Sequence, residues 1–115
     1  MKRLLIVDAA NVIGSVPDGW WRDRRRAAER LRDQLASLAD DGIEVIMVVE
    51  GKAKGIQSIP GVPVYEAPQS GDDAIVELVA AALDRAVTVV TADRELRDRV
   101  TALGAMVQGP RSIRR

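Results

Sequence analysis

The segment Ile43–Val49 is almost continuously apolar over the length of one β-strand. Strands of this kind are typical of the buried middle of a parallel sheet, because helices cover such a sheet on both faces. Elsewhere the chain alternates short β-branched runs with helical patterns in the order βαββαβαβ. We therefore predict an α/β fold, a three-layer sandwich around a mostly parallel five-stranded sheet.

The predicted elements divide a chain of 115 residues, which is the length of one globular domain. Strands are predicted at residues 3–7, 43–49, 62–66, 86–91 and 105–107, and Pro63 suits an edge strand. Helices are predicted at about 22–39, from Ser70 onwards and at 93–103, with Ser70 and Asp73 in a capping-box pattern. Residues 1–110 are expected to form a single domain, and 111–115 a mobile basic tail.

The composition limits the chemistry that is open to the chain. Histidine and cysteine are both absent, which excludes disulfides, Ser-His-Asp triads and the usual zinc sites. Carboxylates remain, and hard oxygen ligands suit Mg²⁺ or Mn²⁺ far better than soft metals. We therefore expect any bound metal to be one of these two ions, with metal-activated water attacking a phosphodiester as the matching chemistry.

Acidic residues follow the predicted strands at their carboxyl ends: Asp8, Glu50, Asp72, Asp73 and Asp93. These ends share one edge of a parallel sheet, so residues that are far apart in sequence can meet there. Asp73 and Glu77 are four residues apart and lie on one helix face. Two carboxylates about 4 Å apart repel by roughly 4 kcal/mol at an effective dielectric near 20. A cluster of this kind needs protonation or a cation, and a divalent metal is the simplest remedy.

Each of these residues also has a structural interpretation. Asp72, Asp73 and Asp93 stand where aspartate is favoured as a helix N-cap, and Asn11 is equally suited to capping a short helical turn through residues 11–13. The structural interpretation is weakest for Asp8, because this carboxylate ends a buried strand beside two alanines.

Four short motifs occur in order along the chain: LIVDAANVIG at 5–14, VVE at 48–50, GDDAIVE at 71–77 and VVTADR at 89–94. Together they resemble the NYN domain, a branch of the PIN-like nucleases, and in particular its YacP-like members. The resemblance implies a PIN-like fold and an Mg²⁺- or Mn²⁺-dependent endoribonuclease that cuts single-stranded RNA. It also implies that Asp8, Asp73 and Asp93 are metal-site carboxylates, that Asn11 orients water or phosphate, and that Glu50 and Glu77 are supporting acids.

The chain also departs from the pattern of that family. Ala9 and Ala10 replace the common Gly-Tyr pair, and Glu50 stands where aspartate is more frequent. A catalytically weak NYN-type domain that binds RNA without cutting it is the first alternative. A receiver-like regulatory domain is a more distant one, because it needs paired acids after the first strand and a lysine after the fifth, and neither is present. A phosphatase of the haloacid-dehalogenase type would need a second aspartate where Ala10 stands.

Lys plus Arg equals Asp plus Glu, at 17 each, so binding to a polyanion requires a local basic surface. Arg22, Arg25 and Arg26 lie off the apolar stripe of the first long predicted helix, and Arg94 and Arg97 begin the helix next to Asp93. We predict these five arginines as RNA contacts, with a second basic surface in the tail at Arg111, Arg114 and Arg115. A ribosome or a second copy of the chain is a further predicted partner.

The apolar run at residues 4–7 is short and is followed directly by Asp8, so it is typical of neither a signal peptide nor a membrane-spanning helix. We therefore expect a cytoplasmic protein with no membrane partner.

Overall fold

The computed structural model describes residues 2–40, 42–53 and 55–113. Its sheet consists of β1 (Arg3–Asp8), β2 (Ile43–Val49), β3 (Val64–Glu66), β4 (Val87–Val90) and β5 (Met106–Gln108). The strand order is β3-β2-β1-β4-β5, and every pair is parallel. After β1, the chain adds β2 and then β3 on one side of it, and it then adds β4 and β5 on the other side. The direction of the crossovers therefore changes between β1 and β4, where open α/β sheets place their ligands.

The helices form the two outer layers: α1 (Ala9–Gly14), α2 (Arg24–Leu35), α3 (Gly71–Ala81) and α4 (Arg94–Thr101). α1 and α2 pack on one face of the sheet, and α3 and α4 pack on the other. Single turns of 3-10 helix occupy Trp20–Arg22, Gly51–Ala53 and Pro110–Ser112. None of the helices in the described part of the chain has both the length and the apolar character needed to cross a membrane. The predicted three-layer α/β sandwich is confirmed.

Alternate side chains of β1 pack into two parts of the core, one on each face of the sheet. Leu5 and Val7 pack with the α1 and α2 layer, whereas Leu4 and Ile6 pack with the α3 and α4 layer. Successive side chains of a strand point to opposite faces, so Asp8 continues the series of Leu4 and Ile6 towards α3 and α4. Apart from Thr91, the fully buried side chains in the described residues are aliphatic or methionine, and none is aromatic.

The predicted helix at 22–39 is wrong at both ends. α2 begins at Arg24 because the Asp23 carboxylate accepts a hydrogen bond from the N–H of Arg26 at 3.0 Å and caps the helix. Arg22 consequently belongs to the preceding 3-10 turn. After Leu35 the chain tightens, and the N–H of Leu38 bonds to the carbonyl of Leu35 instead of continuing the α-helical pattern.

Four strands also differ from the predicted bounds: β1 continues to Asp8, β4 is one residue shorter at each end, and β3 and β5 begin later. β3 begins at Val64 because Val62 pairs with Ile59 in an isolated antiparallel bridge and Pro63 has no N–H to donate. β5 begins at Met106, one residue later than predicted. The last predicted helix is shortened to Arg94–Thr101, with Asp93 as its cap.

The predicted mobile tail is wrong for the residues that the structure describes. Pro110–Ser112 form a 3-10 turn, and Ile113 is buried in the core beneath α2. The side-chain amide of Gln34 donates to the carbonyl of Ile113 at 2.8 Å. Burial of Ile113 and this hydrogen bond hold the segment against the domain, whereas Arg114 and Arg115 lie outside the described residues.

Candidate active site

Asp8 ends the central strand and also caps the helix that follows it. Its Oδ1 accepts a hydrogen bond from the N–H of Asn11 at 3.5 Å, and its Oδ2 accepts one from the Thr91 hydroxyl at 2.9 Å. The residue is only 8% exposed. The same carboxylate therefore serves as a helix cap and sits at the point where the crossovers change direction.

Burial raises the pKa of Asp8 from its usual value near 3.8 to about 6. The hydrogen bonds from Thr91 and from the N–H of Asn11 act in the opposite direction and lower it, while the negative charges of Asp72 and Glu50 raise it further. Near neutral pH the carboxylate of Asp8 is charged, and that charge is maintained at a free-energy cost because it is buried.

Asp72 lies in the first turn of α3 and shares with Asp8 the influence of the Glu50 charge. Burial is the largest cause that raises the pKa of Asp72, and the negative charges of Asp93, Glu50 and Glu95 raise it further. The positive charge of Arg99 lowers it. These interactions join residues from four segments of the chain into one electrostatic unit. We call it the acidic edge, and its members are Asp8, Glu50, Asp72 and Asp93.

Glu50 follows β2 and contacts the beginning of α3. Its Oε2 accepts a hydrogen bond from the N–H of Gly71. A Cβ atom at Gly71 would stand 3.0 Å from the same Oε2, so any larger residue would push the glutamate aside. Glycine at the first position of α3 therefore allows the close approach of Glu50.

Thr91 connects the two acids on either side of the change in direction. Its Oγ1 donates to Asp8 and accepts a hydrogen bond from the N–H of Asp93 at 3.1 Å. Asp93 in turn caps α4 through the N–H of Leu96 at 3.0 Å. Asn11 lies inside α1, and its side-chain oxygen accepts from the N–H of Ala92 at 2.8 Å. The helical turn predicted at residues 11–13 lies within α1, but Asp8 and not Asn11 caps it. Asn11 instead fixes the segment that carries Asp93.

Two neighbouring aspartates, Asp72 and Asp73, have different surroundings in the structure, although the sequence did not distinguish them. Asp73 forms an ion pair with Arg99 at 3.0 Å, and its side chain is 61% exposed. Consecutive residues on a helix point about 100° apart, so Asp72 faces the acidic edge and Asp73 does not. Glu77, one turn beyond Asp73, is exposed. The metal role predicted for Asp73 and Glu77 therefore has no support from their placement.

The residues of the acidic edge fit a divalent cation in chemistry and in charge. They offer hard oxygen ligands of the type that Mg²⁺ and Mn²⁺ prefer. Burial, and after it the neighbouring negative charges, raise the pKa values of Asp8 and Asp72, and a bound cation would offset both costs. Their spacing is open, however. Within residues 2–40, 42–53 and 55–113 no three Asp or Glu side chains stand close enough together to hold a metal ion.

The five arginines predicted to contact RNA divide into two places. Arg22, Arg25 and Arg26 are exposed around the start of α2, and Arg25 donates to the carbonyl of Gly55 at 3.4 Å. Arg94 is exposed in the first turn of α4, next to the acidic edge. Arg97 is half-buried, and its Nε is buried without a hydrogen-bond partner in the described structure.

The three-layer sandwich, its all-parallel sheet and the acids where the crossovers change direction are consistent with a PIN-like α/β fold. No protein-family model matches the chain, and no curated protein matches it. Among solved structures, a mutant of Rae1 (YacP) from Bacillus subtilis aligns with a TM-score of 0.78 at 22% identity, over 94% of this chain and 69% of that one. The chain therefore has the YacP-like, NYN-type fold that its four motifs predict.

Sequence reasoning missed three contributors to this region. Thr91 stands inside the VVTADR motif, but its role depends on β4 lying next to β1. Glu95 reaches Asp72 across the gap between two helices. Arg24 and Trp20 form a pair beside Glu50, and the run WWRDRRR at 20–26 is the sequence signal for it, because aromatic residues interleaved with arginines are typical of nucleic-acid binding.

Proposed function

We propose that this protein is a metal-dependent endoribonuclease that hydrolyses phosphodiester bonds of single-stranded RNA. The observation that carries the proposal is the acidic edge, in which burial and the negative charges of Asp72 and Glu50 raise the pKa of Asp8 to about 6. The YacP-like fold supports it, because the sequence motifs of this fold resemble those of PIN-like nucleases.

The residues of the acidic edge would hold Mg²⁺ or Mn²⁺, with Asp8 and Asp72 as the primary ligands in the proposal. Bound there, the cation would supply a water of lowered pKa and positive charge beside the phosphate. Thr91 and the N–H of Asn11 orient the Asp8 carboxylate. The Asn11 side chain fixes the segment that leads to Asp93. Attack by water on phosphorus breaks the bond to the ribose 3′ oxygen, so the products carry 5′-phosphates.

The arginines complete the proposal by holding the RNA backbone. Arg22, Arg25 and Arg26 give a local basic surface on a chain with no net charge, and Arg94 and Arg97 stand next to Asp93. On single-stranded RNA each phosphate contact adds about 0.7 to the slope of log affinity against log salt. Replacing Arg22, Arg25 and Arg26 with glutamine should therefore flatten that slope. An unchanged slope would mean that these arginines are solvent-exposed and do not contact RNA phosphates.

The decisive experiment incubates the purified protein with single-stranded RNA in Mn²⁺, in Mg²⁺ and in excess chelator. We expect cleavage with 5′-phosphate products in both ions and none in chelator. Cleavage that persists in chelator, or that yields cyclic phosphate ends, would exclude the mechanism.

Asp72→Asn and Asp73→Asn are a matched pair for the same assay, because each removes one negative charge from the first turn of α3. Asp72 is coupled to the acidic edge and Asp73 is paired with Arg99. We expect Asp72→Asn to abolish cleavage and Asp73→Asn to retain it. The reverse result would restore the metal role implied for Asp73 by the family resemblance.

A catalytically weak RNA-binding domain is the second candidate, and the open spacing of the acids favours it. It is distinguished by RNA binding without cleavage in either ion. Association with a ribosome and formation of a homodimer stay predictions from the sequence.

A further inference from the structure

Two adjacent tryptophans form a small aromatic surface at the start of α2. The rings of Trp20 and Trp21 meet edge to face, with centroids 5.7 Å apart and an interplanar angle of 86°. The guanidinium carbon of Arg24 lies 5.1 Å from the centre of the Trp20 ring, which is a cation–π arrangement. We call Trp20 and Arg24 the stacking pair.

The stacking pair opens into a cleft of about 130 Å³ beside the acidic edge. The cleft is lined by Ala10, Ile13, Trp20, Arg24, Glu50 and Ala53. Glu50 belongs both to this cleft and to the acidic edge, so whatever occupies the cleft lies next to the proposed site of cleavage.

The stacking pair lies where the core meets solvent. Trp20 packs against the core of the α1 and α2 layer but is only half-buried, and Trp21 is 49% exposed. Arg24 is exposed and, within the described residues, forms no ion pair with a carboxylate. An exposed aromatic group and an uncompensated guanidinium are the two features from which single-stranded nucleic-acid sites are built.

We infer that the stacking pair binds a nucleobase of single-stranded RNA next to the scissile phosphate. The inference rests on the proposed function for the identity of the polymer and names the part of the site that receives a base. Nucleobases stack on aromatic rings and on guanidinium planes, and Trp20 and the Arg24 guanidinium above its ring both line the cleft. Arg22, Arg25 and Arg26 lie around the same helix start, where they can meet the phosphates on either side of that base.

The test compares two oligomers of equal length and charge, labelled oligouridine and an abasic ribose-phosphate chain, by fluorescence anisotropy in chelator. Stacking on one base strengthens binding by about five-fold or more. We expect the wild-type protein to bind oligouridine more tightly than the abasic oligomer by at least that ratio. We expect Arg24→Gln and Trp20→Leu to bring the ratio close to one. A wild-type ratio near one, or variants that keep the wild-type ratio, would overturn the inference.

Two matched controls locate the effect. Arg30→Gln removes one exposed positive charge from the same helix without touching the cleft, so affinity for both oligomers falls together and the ratio stays. Trp21→Leu removes the neighbouring ring, which does not line the cleft, and the ratio should again stay. If Trp21→Leu lowers the ratio and Trp20→Leu does not, the base binds elsewhere and the inference fails. Arg24→Gln decides the question if Trp20→Leu does not fold, because Arg24 is exposed.

The outcomes for the inference and for the proposed function are separable. Base-dependent binding through the stacking pair, without cleavage in Mn²⁺ or Mg²⁺, would uphold the inference and reject the nuclease. Cleavage by a wild-type protein whose oligomer ratio is near one would uphold the nuclease and reject the stacking pair.

Discussion

The amino and carboxyl ends of the parallel strands differ in how their charged side chains are arranged. At the amino end, Arg85 forms an ion pair with Glu44 at 3.4 Å and donates from its Nε to the carbonyl of Lys2 at 2.9 Å. At the carboxyl end, burial and the charges of neighbouring acids raise the pKa values of Asp8 and Asp72. One fold thus pairs its charges where they are structural and gathers like charges where a ligand is expected. The carboxyl end is unfavourable for stability by itself, which is typical of a site shaped for binding.

The largest expected effect is the loss of activity in Asp8→Asn, which keeps the shape of the side chain and removes its charge. We expect cleavage of RNA to fall by about 100-fold or more, as the loss of roughly 3 kcal/mol of transition-state stabilisation implies. The measurement is the initial rate in Mn²⁺ at saturating RNA. Glu44→Gln, which removes one carboxylate at the opposite end of the sheet, is the control and should keep its rate. If Asp8→Asn unfolds while its remaining folded fraction stays active, Asp8 is a structural residue only.

The same substitution should stabilise the metal-free protein in a pH-dependent way. The pKa of Asp8 is higher in the folded state than in the unfolded state. The proton therefore stabilises the folded state fully below about pH 4, and this contribution is lost as the pH rises through about 6. A shift of about two pKa units corresponds to at most about 3 kcal/mol. Urea unfolding should show wild type and Asp8→Asn close together at pH 4, with Asp8→Asn more stable by up to that amount at pH 7.5. An equal difference at both pH values would contradict the raised pKa.

Adding Mg²⁺ or Mn²⁺ should offset the unfavourable negative charge at the carboxyl end of the sheet and so stabilise the folded state. A cation at 100 times its dissociation constant stabilises the folded state by about 2.7 kcal/mol, and the resulting rise in melting temperature is measured by thermal unfolding at pH 7.5. The rise should shrink below pH 6, because protons compete with the cation for Asp8. Asp72→Asn should abolish it and Asp73→Asn should retain it. A rise of equal size in Asp72→Asn would place the cation elsewhere.

The smallest effect belongs to the amino end. Glu44→Gln breaks an ion pair in which the glutamate side chain is 46% exposed, and exposed pairs contribute about 0.2–1 kcal/mol. We expect a loss of about 0.5 kcal/mol or less in the free energy of unfolding at pH 7.5, and a smaller loss in high salt. A stabilising effect from Glu44→Gln would mean that the two ends of the sheet carry the same kind of charge imbalance.

Local patterns in the sequence were sufficient for part of the fold. β2 spans Ile43–Val49 as its apolar run predicts, and Ser70 caps α3 through the N–H of Asp73 at 3.3 Å. Both features depend on residues within a few positions of one another, where period and capping chemistry are informative. The gathering of acids at the carboxyl ends of the strands was predicted in the same way, because parallel strands share that edge.

The choice between neighbouring acids was not accessible from the sequence. Asp72 and Asp73 both stand in the first turn of α3, and both residue types suit the same positions. Their orientation is settled by Arg99, which lies 26 positions along the chain and holds Asp73 outward. The role of Thr91 depends in the same way on β4 pairing with β1. Such contacts belong to the arrangement of the elements, which no short stretch of sequence specifies.

The hydrogen bond between Asp8 and Thr91 joins residues 83 positions apart. Contacts between distant residues form late, because the chain must first close a long loop. During synthesis β1, α1, α2 and β2 emerge long before β4, so a ribosome carrying the first half of the chain displays Asp8 without the hydroxyl that orients it. Assembly of the acidic edge is thereby tied to completion of the domain, because the hydrogen bond that orients Asp8 forms only when β4 docks against β1.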